Sequence, residues 1–164
     1  MKVVQEPVRA GKHALRIDGT NAARRGNLDR IEFQHQPAAP GTAEGTERYF
    51  GWSVFVPRKL TDDFHSVGYF ETRNSWRQLM SFEVHVLWSR DTAKGFVEVW
   101  YDGEQVVPRT MTATLLDENE AFLQIGMMRA TSEVPESIII DHVTEGTTLE
   151  DVTPPQLLRP KNQR

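Results

Sequence analysis

The run "FEVHVLWS" (82–89), followed by "RDTAKG" (90–95), "FVEVWY" (96–101), Asp102-Gly103 and "EQVV" (104–107), decides how the rest of the chain is read. Phe82, Val84, Val86 and Trp88 share one parity, with Glu83, His85 and Leu87 on the other. Alternation of this kind places an apolar side and a more polar side on an extended chain. An Asp-Gly pair between two β-branched and aromatic runs suits the positive φ angles of a two-residue hairpin turn. The stretch therefore predicts three antiparallel strands in succession.

Working outward, the same grammar recurs in both directions. "HALRID" (13–18) and "RIEFQH" (30–35) alternate, and "RYFGWSVFVP" (48–57) puts Phe50, Trp52, Val54 and Val56 on one face before Pro57 ends the ladder. "AFLQIGMMRA" (121–130) and "SIIIDHV" (137–143) supply two more runs. Gly126, inside the first of them, marks a bulge or a close approach of another backbone or ligand. "QPAAPGTAEGTE" (36–47) reads as a surface loop. Between 60 and 80 the periodicity is weak; "VGYFET" fits a strand and "WRQLMSF" a short helical turn. At least seven strands, each with one apolar side, imply two sheets packed face to face, an all-β sandwich or jelly roll. With 164 residues the expectation is one domain over 1–153, followed by a flexible tail, 154–164.

Composition narrows the function. There is no cysteine, which removes disulfides, thiolate catalysis and cysteine-based zinc sites. A net charge of -4 argues against a nucleic-acid partner, and no apolar run approaches the length needed to span a bilayer. "MKVVQEPVRAGKHAL" lacks the continuous apolar stretch of a secretory signal. The five histidines show no helical pair and the acidic residues no calcium-loop spacing, so neither a metal nor another cofactor is expected. Phosphate-loop and serine-elbow motifs are also missing from the sequence.

The chemistry-bearing stretch is "DRIEFQHQ" (29–36), where Arg30, Glu32, Gln34 and Gln36 oppose Ile31 and Phe33. Such a face is either a solvated sheet surface carrying an Arg30–Glu32 ion pair or a groove that grips a polymer of polar units. Arg24 and Arg25 add local positive charge and read as a solvated loop. His85 shares a strand face with Glu83, an arrangement that suits a base oriented by a carboxylate, although a lone strand histidine is more often structural or solvated. Trp52, Trp88 and Trp100 read as core, whereas Trp76 and Tyr101 are candidates for stacking on a sugar ring. A third arrangement would use Glu83 and Glu98 as a glycosidase pair, which needs carboxylates roughly 5 Å apart in a retaining enzyme.

Taken in order, "PVRAGKHALRI", "RIEF", "TERYFGWSVFVP", "HVLWSRDTAKGFVEVWYDGEQVV", "FLQIGMMR" and "IIIDHVTEGTTLEDV" resemble polysaccharide lyases of the heparin lyase I and glucuronan lyase type, from about Pro7 to Val152. The resemblance implies a concanavalin-like jelly roll that binds uronic-acid polysaccharide on a concave sheet and cleaves it by β-elimination. It implies a carboxylate-binding role for Arg30 and Gln34, with Glu32 holding Arg30 in place. Gln124 matches the polar residue of the cleft strand. Proton transfer falls to His85 or Tyr69, with His65 a further candidate for the base. The full expected set is Arg30, Tyr69 and His85 for catalysis, and Arg30, Glu32, Gln34, Trp76, Tyr101 and Gln124 for substrate. Relatives of this type are often secreted or periplasmic. Two departures stand out: Met128 occupies the place of the usual proton-transferring tyrosine, and the Gln-x-His element after the "WSVFVP"-like strand is missing. Those departures are what a non-catalytic carbohydrate-binding relative would show.

Overall fold

The computed structural model describes residues 1–21, 23–34, 42–58, 65–66, 79–117 and 124–158. In chain order its strands are β1 (Lys2–Val4), β2 (Ala14–Asp18), β3 (Ala23–Arg25), β4 (Leu28–Gln34), β5 (Glu47–Phe55), β6 (His65–Ser66), β7 (Leu79–Leu87), β8 (Phe96–Tyr101), β9 (Glu104–Met111), β10 (Gln124–Ala130) and β11 (Ser137–Gly146). One short helix follows, α1 (Leu149–Val152). The fold is all-β, with two antiparallel sheets ordered β1-β2-β11-β5-β7-β8-β9 and β3-β4-β10-β6. The chain divides into two compact units, one made of Met1–Gln34, Ser53–Met80 and Gln124–His142, the other of His35–Trp52, Ser81–Leu123 and Val143–Arg164.

The first unit contains the whole four-stranded sheet. Ile17, Val54, Met80, Ile125, Met127, Ile138 and Ile140 are all at most 2% exposed and form its core. Each contributes about 1.5–3 kcal/mol by leaving water. Ile138 faces Ile17 across the β2–β11 ladder, so the isoleucine run is used where two strands meet. A Cβ on Gly19, just after β2, would lie 3.0 Å from Met127 Sδ and from Arg129 Cζ. The turn after β2 therefore rests directly on the buried face of β10. Arg129, 1% exposed, is held there by Glu136 Oε2 at 2.7 Å and by the carbonyls of Ser132 and Val134, both at 2.8 Å.

In the second unit the hairpin is built as the sequence requires. Asp102 (φ 48) and Gly103 (φ 81) both take positive φ, joining β8 to β9 in two residues. Trp52 stacks on Phe82 at 5.8 Å and Phe82 meets Tyr101 at 5.2 Å. The opposite side of this sheet differs from expectation. Ser81, Glu83 and His85 are as buried as Phe82, so β7 has no wet face. Part of the cover is α1 and the turn after it: a Cβ on Gly51 would collide with the Val152 carbonyl and come within 3.0 Å of Thr144 Oγ1.

Two local expectations change as well. Leu79–Phe82, read as part of a helical turn, opens β7. The tail begins as ordered structure, with Pro154 buried and Leu157 N–H donating to the Pro154 carbonyl at 2.8 Å. The signal was present in "TTLEDV": Thr148 and Asp151 form a reciprocal capping box that starts α1.

Candidate functional site

Register builds the site. β4 runs antiparallel to β10 with Arg30 opposite Met128, Glu32 opposite Gly126 and Gln34 opposite Gln124. Residues directly opposite share a sheet face, so these six positions line one side of the four-stranded sheet. Their odd-numbered neighbours Ile125, Met127 and Arg129 line the buried side. Gly126 is required by proximity. A Cβ there would lie 2.5 Å from Glu32 Cα and 2.8 Å from its Cγ. The mid-strand glycine thus marks the close approach of β4 to β10.

Across this face Arg30 organises the polar groups. Its Nε donates to Glu32 Oε2, and its Nη2 donates to Gln124 Oε1 at 2.8 Å. The Arg30 and Glu32 side chains are 35% and 16% exposed. The guanidinium is therefore oriented by two partners and still reached by solvent, while its Nη1 is used by neither contact. A guanidinium so placed can meet a further carboxylate through charge-assisted hydrogen bonds. Met128 lies beside it, with Ser66 of β6 as its partner on the other side.

The remaining expected residues distribute as follows. Gln34 holds its register position opposite Gln124, and His65 pairs with Arg129. Tyr69 and Trp76 lie outside the described residues. Tyr101 is half-buried in the seven-stranded sheet: its ring is 5.2 Å from Phe82, and burial, followed by the charge of Asp102, raises its hydroxyl pKa above the usual tyrosine value.

His85 lies buried on β7. It belongs to the seven-stranded sheet, whereas Arg30 belongs to the four-stranded one. It is 2% exposed, with Nδ1 2.6 Å from Glu98 Oε2 and Nε2 2.6 Å from Glu47 Oε1. Tyr49 stacks on the ring at 3.8 Å and Phe96 meets it edge-on at 4.8 Å. Both nitrogens face carboxylates, and one face of the ring is stacked on Tyr49. Glu98 faces His85 in the ladder, while Glu83 faces Trp100 and accepts from Ser81 Oγ at 2.8 Å. Alternation correctly put Glu83 and His85 on one side, but it says nothing of what covers that side.

Among the described residues no group of His, Asp or Glu could hold a metal ion, and no helix is long and apolar enough to cross a membrane.

Residues 70–144 match the model of the polysaccharide lyase family. That span includes β10, with Gln124 and Met128, but not Arg30. No curated protein matches the chain significantly. Among solved structures, the catalytic domain of a glycoside hydrolase family 131 protein from Coprinopsis cinerea superposes with a TM-score of 0.63 at 14% identity, covering 93% of this chain and 77% of that one. The catalytic domain of a family 131 β-glucanase from Podospora anserina gives 0.65 at 13% identity, covering 92% and 80%. At such identities the likeness establishes the architecture.

Proposed function

We propose that this is a polysaccharide lyase-like protein that binds a uronic-acid-containing polysaccharide along the exposed face of its four-stranded sheet and acts on it by β-elimination. The observation that carries the reading is Arg30, aimed by Glu32 and Gln124 with its Nη1 used by neither of these contacts. The family match over β7 to β10 supports the polysaccharide, and the jelly-roll architecture supports binding across a sheet.

In this reading Arg30 neutralises the uronate carboxylate, which makes the neighbouring C5 proton acidic. A base then removes that proton, and an acid protonates the departing glycosidic oxygen. With His85 enclosed by carboxylates, Tyr69 carries the proton, Trp76 offers a stacking surface, and Gln34 and Gln124 hydrogen-bond the chain.

A second reading, a non-catalytic carbohydrate-binding relative, is favoured by one observation. Met128 stands directly opposite Arg30, and a thioether transfers no proton. Incubation with alginate, glucuronan and heparin separates the two when binding and the absorbance of the unsaturated product are followed together. Product growth that is lost in Arg30→Ala supports the lyase. Binding without product supports the second reading, and binding to none of the three refutes both.

A further inference from the structure

A charged cluster that the proposed cleft does not use lies in the second unit, around His85. An imidazole offers two N–H donors only as the imidazolium; the neutral ring has one donor and one acceptor. Here each nitrogen faces a carboxylate oxygen at 2.6 Å, Glu98 on one side and Glu47 on the other. Both contacts are hydrogen bonds only while the ring carries both protons. When it carries one, a lone pair faces a carboxylate and that contact turns repulsive.

The two carboxylates are unequally held. Glu98 is 13% exposed and also accepts from Arg109 Nη2 at 3.1 Å and Gln105 Nε2 at 3.2 Å. Arg109 is itself fixed, its guanidinium 3.9 Å from the centre of the Phe96 ring. Glu47 is 52% exposed, and among the described residues its side chain pairs with His85. Loss of a ring proton therefore releases Glu47 and leaves Glu98 in place. The other groups facing the ring do not alter this ordering. Tyr49 is a neutral stacked phenol whose pKa is raised by burial, then by Glu98 and Glu47, and Glu83, two residues along β7, is turned toward Ser81.

We infer that Glu47, His85 and Glu98 form a proton-dependent clasp that fastens the first residues of β5 through β7 to β8. Glu47 is the first residue of β5. Immediately before it, Gly45 N–H donates to the Trp88 carbonyl at 2.7 Å, and Trp88 N–H donates to the Thr46 carbonyl at 2.9 Å. With Glu47 released, these two backbone bonds and those that Glu44 accepts from Ser89 Oγ at 2.6 Å and Arg90 N–H at 3.0 Å still hold the turn at 42–46, while the start of β5 loses its side-chain tie to β7. The chain at 45–49 then opens more readily, with Tyr49 exposed as it does so.

The test is hydrogen exchange at the amides of residues 45–49 across the titration of His85, which is followed by the NMR shifts of its two ring nitrogens. After correction for intrinsic exchange, protection falls by about tenfold or more as the ring loses its second proton, the equivalent of one charge-assisted hydrogen bond. In Glu47→Gln, which alters a half-exposed side chain and spares the fold, protection is lower than in the wild type while the ring carries both protons, and the step is gone. The inference is overturned if His85 titrates with no step in the wild type, if the step persists in Glu47→Gln, or if the ring holds a single proton throughout.

Discussion

At the scale of single residues, three substitutions separate stability from binding. Arg129 is a guanidinium in the core, held through its two terminal nitrogens by Glu136, two carbonyls and, at 3.5 Å, Asp29. Removing it takes a guanidinium away from the buried carboxylates of Glu136 and Asp29. Arg129→Ala should cost about 3–5 kcal/mol, read by urea denaturation. Gly126→Ala forces a methyl against the backbone of β4; overpacking of this kind costs about 1–3 kcal/mol and should weaken the β4–β10 ladder by hydrogen exchange. Arg30→Ala, at a partly exposed side chain, should leave the melting temperature nearly unchanged and lower glycan affinity by about tenfold or more. What was legible at this scale was chemistry type. The alternation in "DRIEFQHQ" placed Arg30 and Glu32 together, and the structure adds Gln124 from a strand 94 positions away. The burial of Arg129 was harder to see, although a charged residue on the same parity as Ile125 and Met127 is the signal that points to it.

At the scale of elements, the hairpins follow from local rules and the covering of their faces does not. Asp102-Gly103 needs only its own backbone to turn, so its geometry was readable. His85 was read as half-wet because alternation reports parity, whereas burial depends on Tyr49, Glu47 and Glu98 arriving from β5 and β8. The helix α1 was overlooked for its brevity; one capping box on four residues gives no periodicity to detect. The acid side of the stability curve belongs here. Burial alone would raise the pKa of Glu98, but its hydrogen bonds to Arg109 and His85 prevail and lower it. A carboxylate held below its unfolded value of about 4.3 contributes stability that is present above that pH and lost as pH falls through the folded value. Stability measured by denaturant from pH 7 to pH 3 should fall more steeply in wild type than in Glu98→Gln. Equal slopes would show that Glu98 contributes nothing to acid sensitivity.

At the scale of the whole molecule, strand count and apolar parity were enough to predict an all-β fold of two antiparallel sheets, because each strand's apolar side has to find cover. Function is less accessible to that reasoning, since one jelly roll serves binding modules, lyases and hydrolases alike. The matched family span ends short of β4 on its N-terminal side, so the argument for a glycan cleft rests on β4 and β10 meeting in the register that joins Arg30 to Gln124. The most direct test is a titration of the isotopically labelled protein with a uronic-acid oligosaccharide, mapping the backbone amides that shift. The account predicts shifts concentrated on β4 and β10, at Arg30, Glu32, Gln124 and Met128, and their disappearance in Arg30→Ala. Shifts confined to β5, β7 and β8, or unchanged in Arg30→Ala, would contradict it.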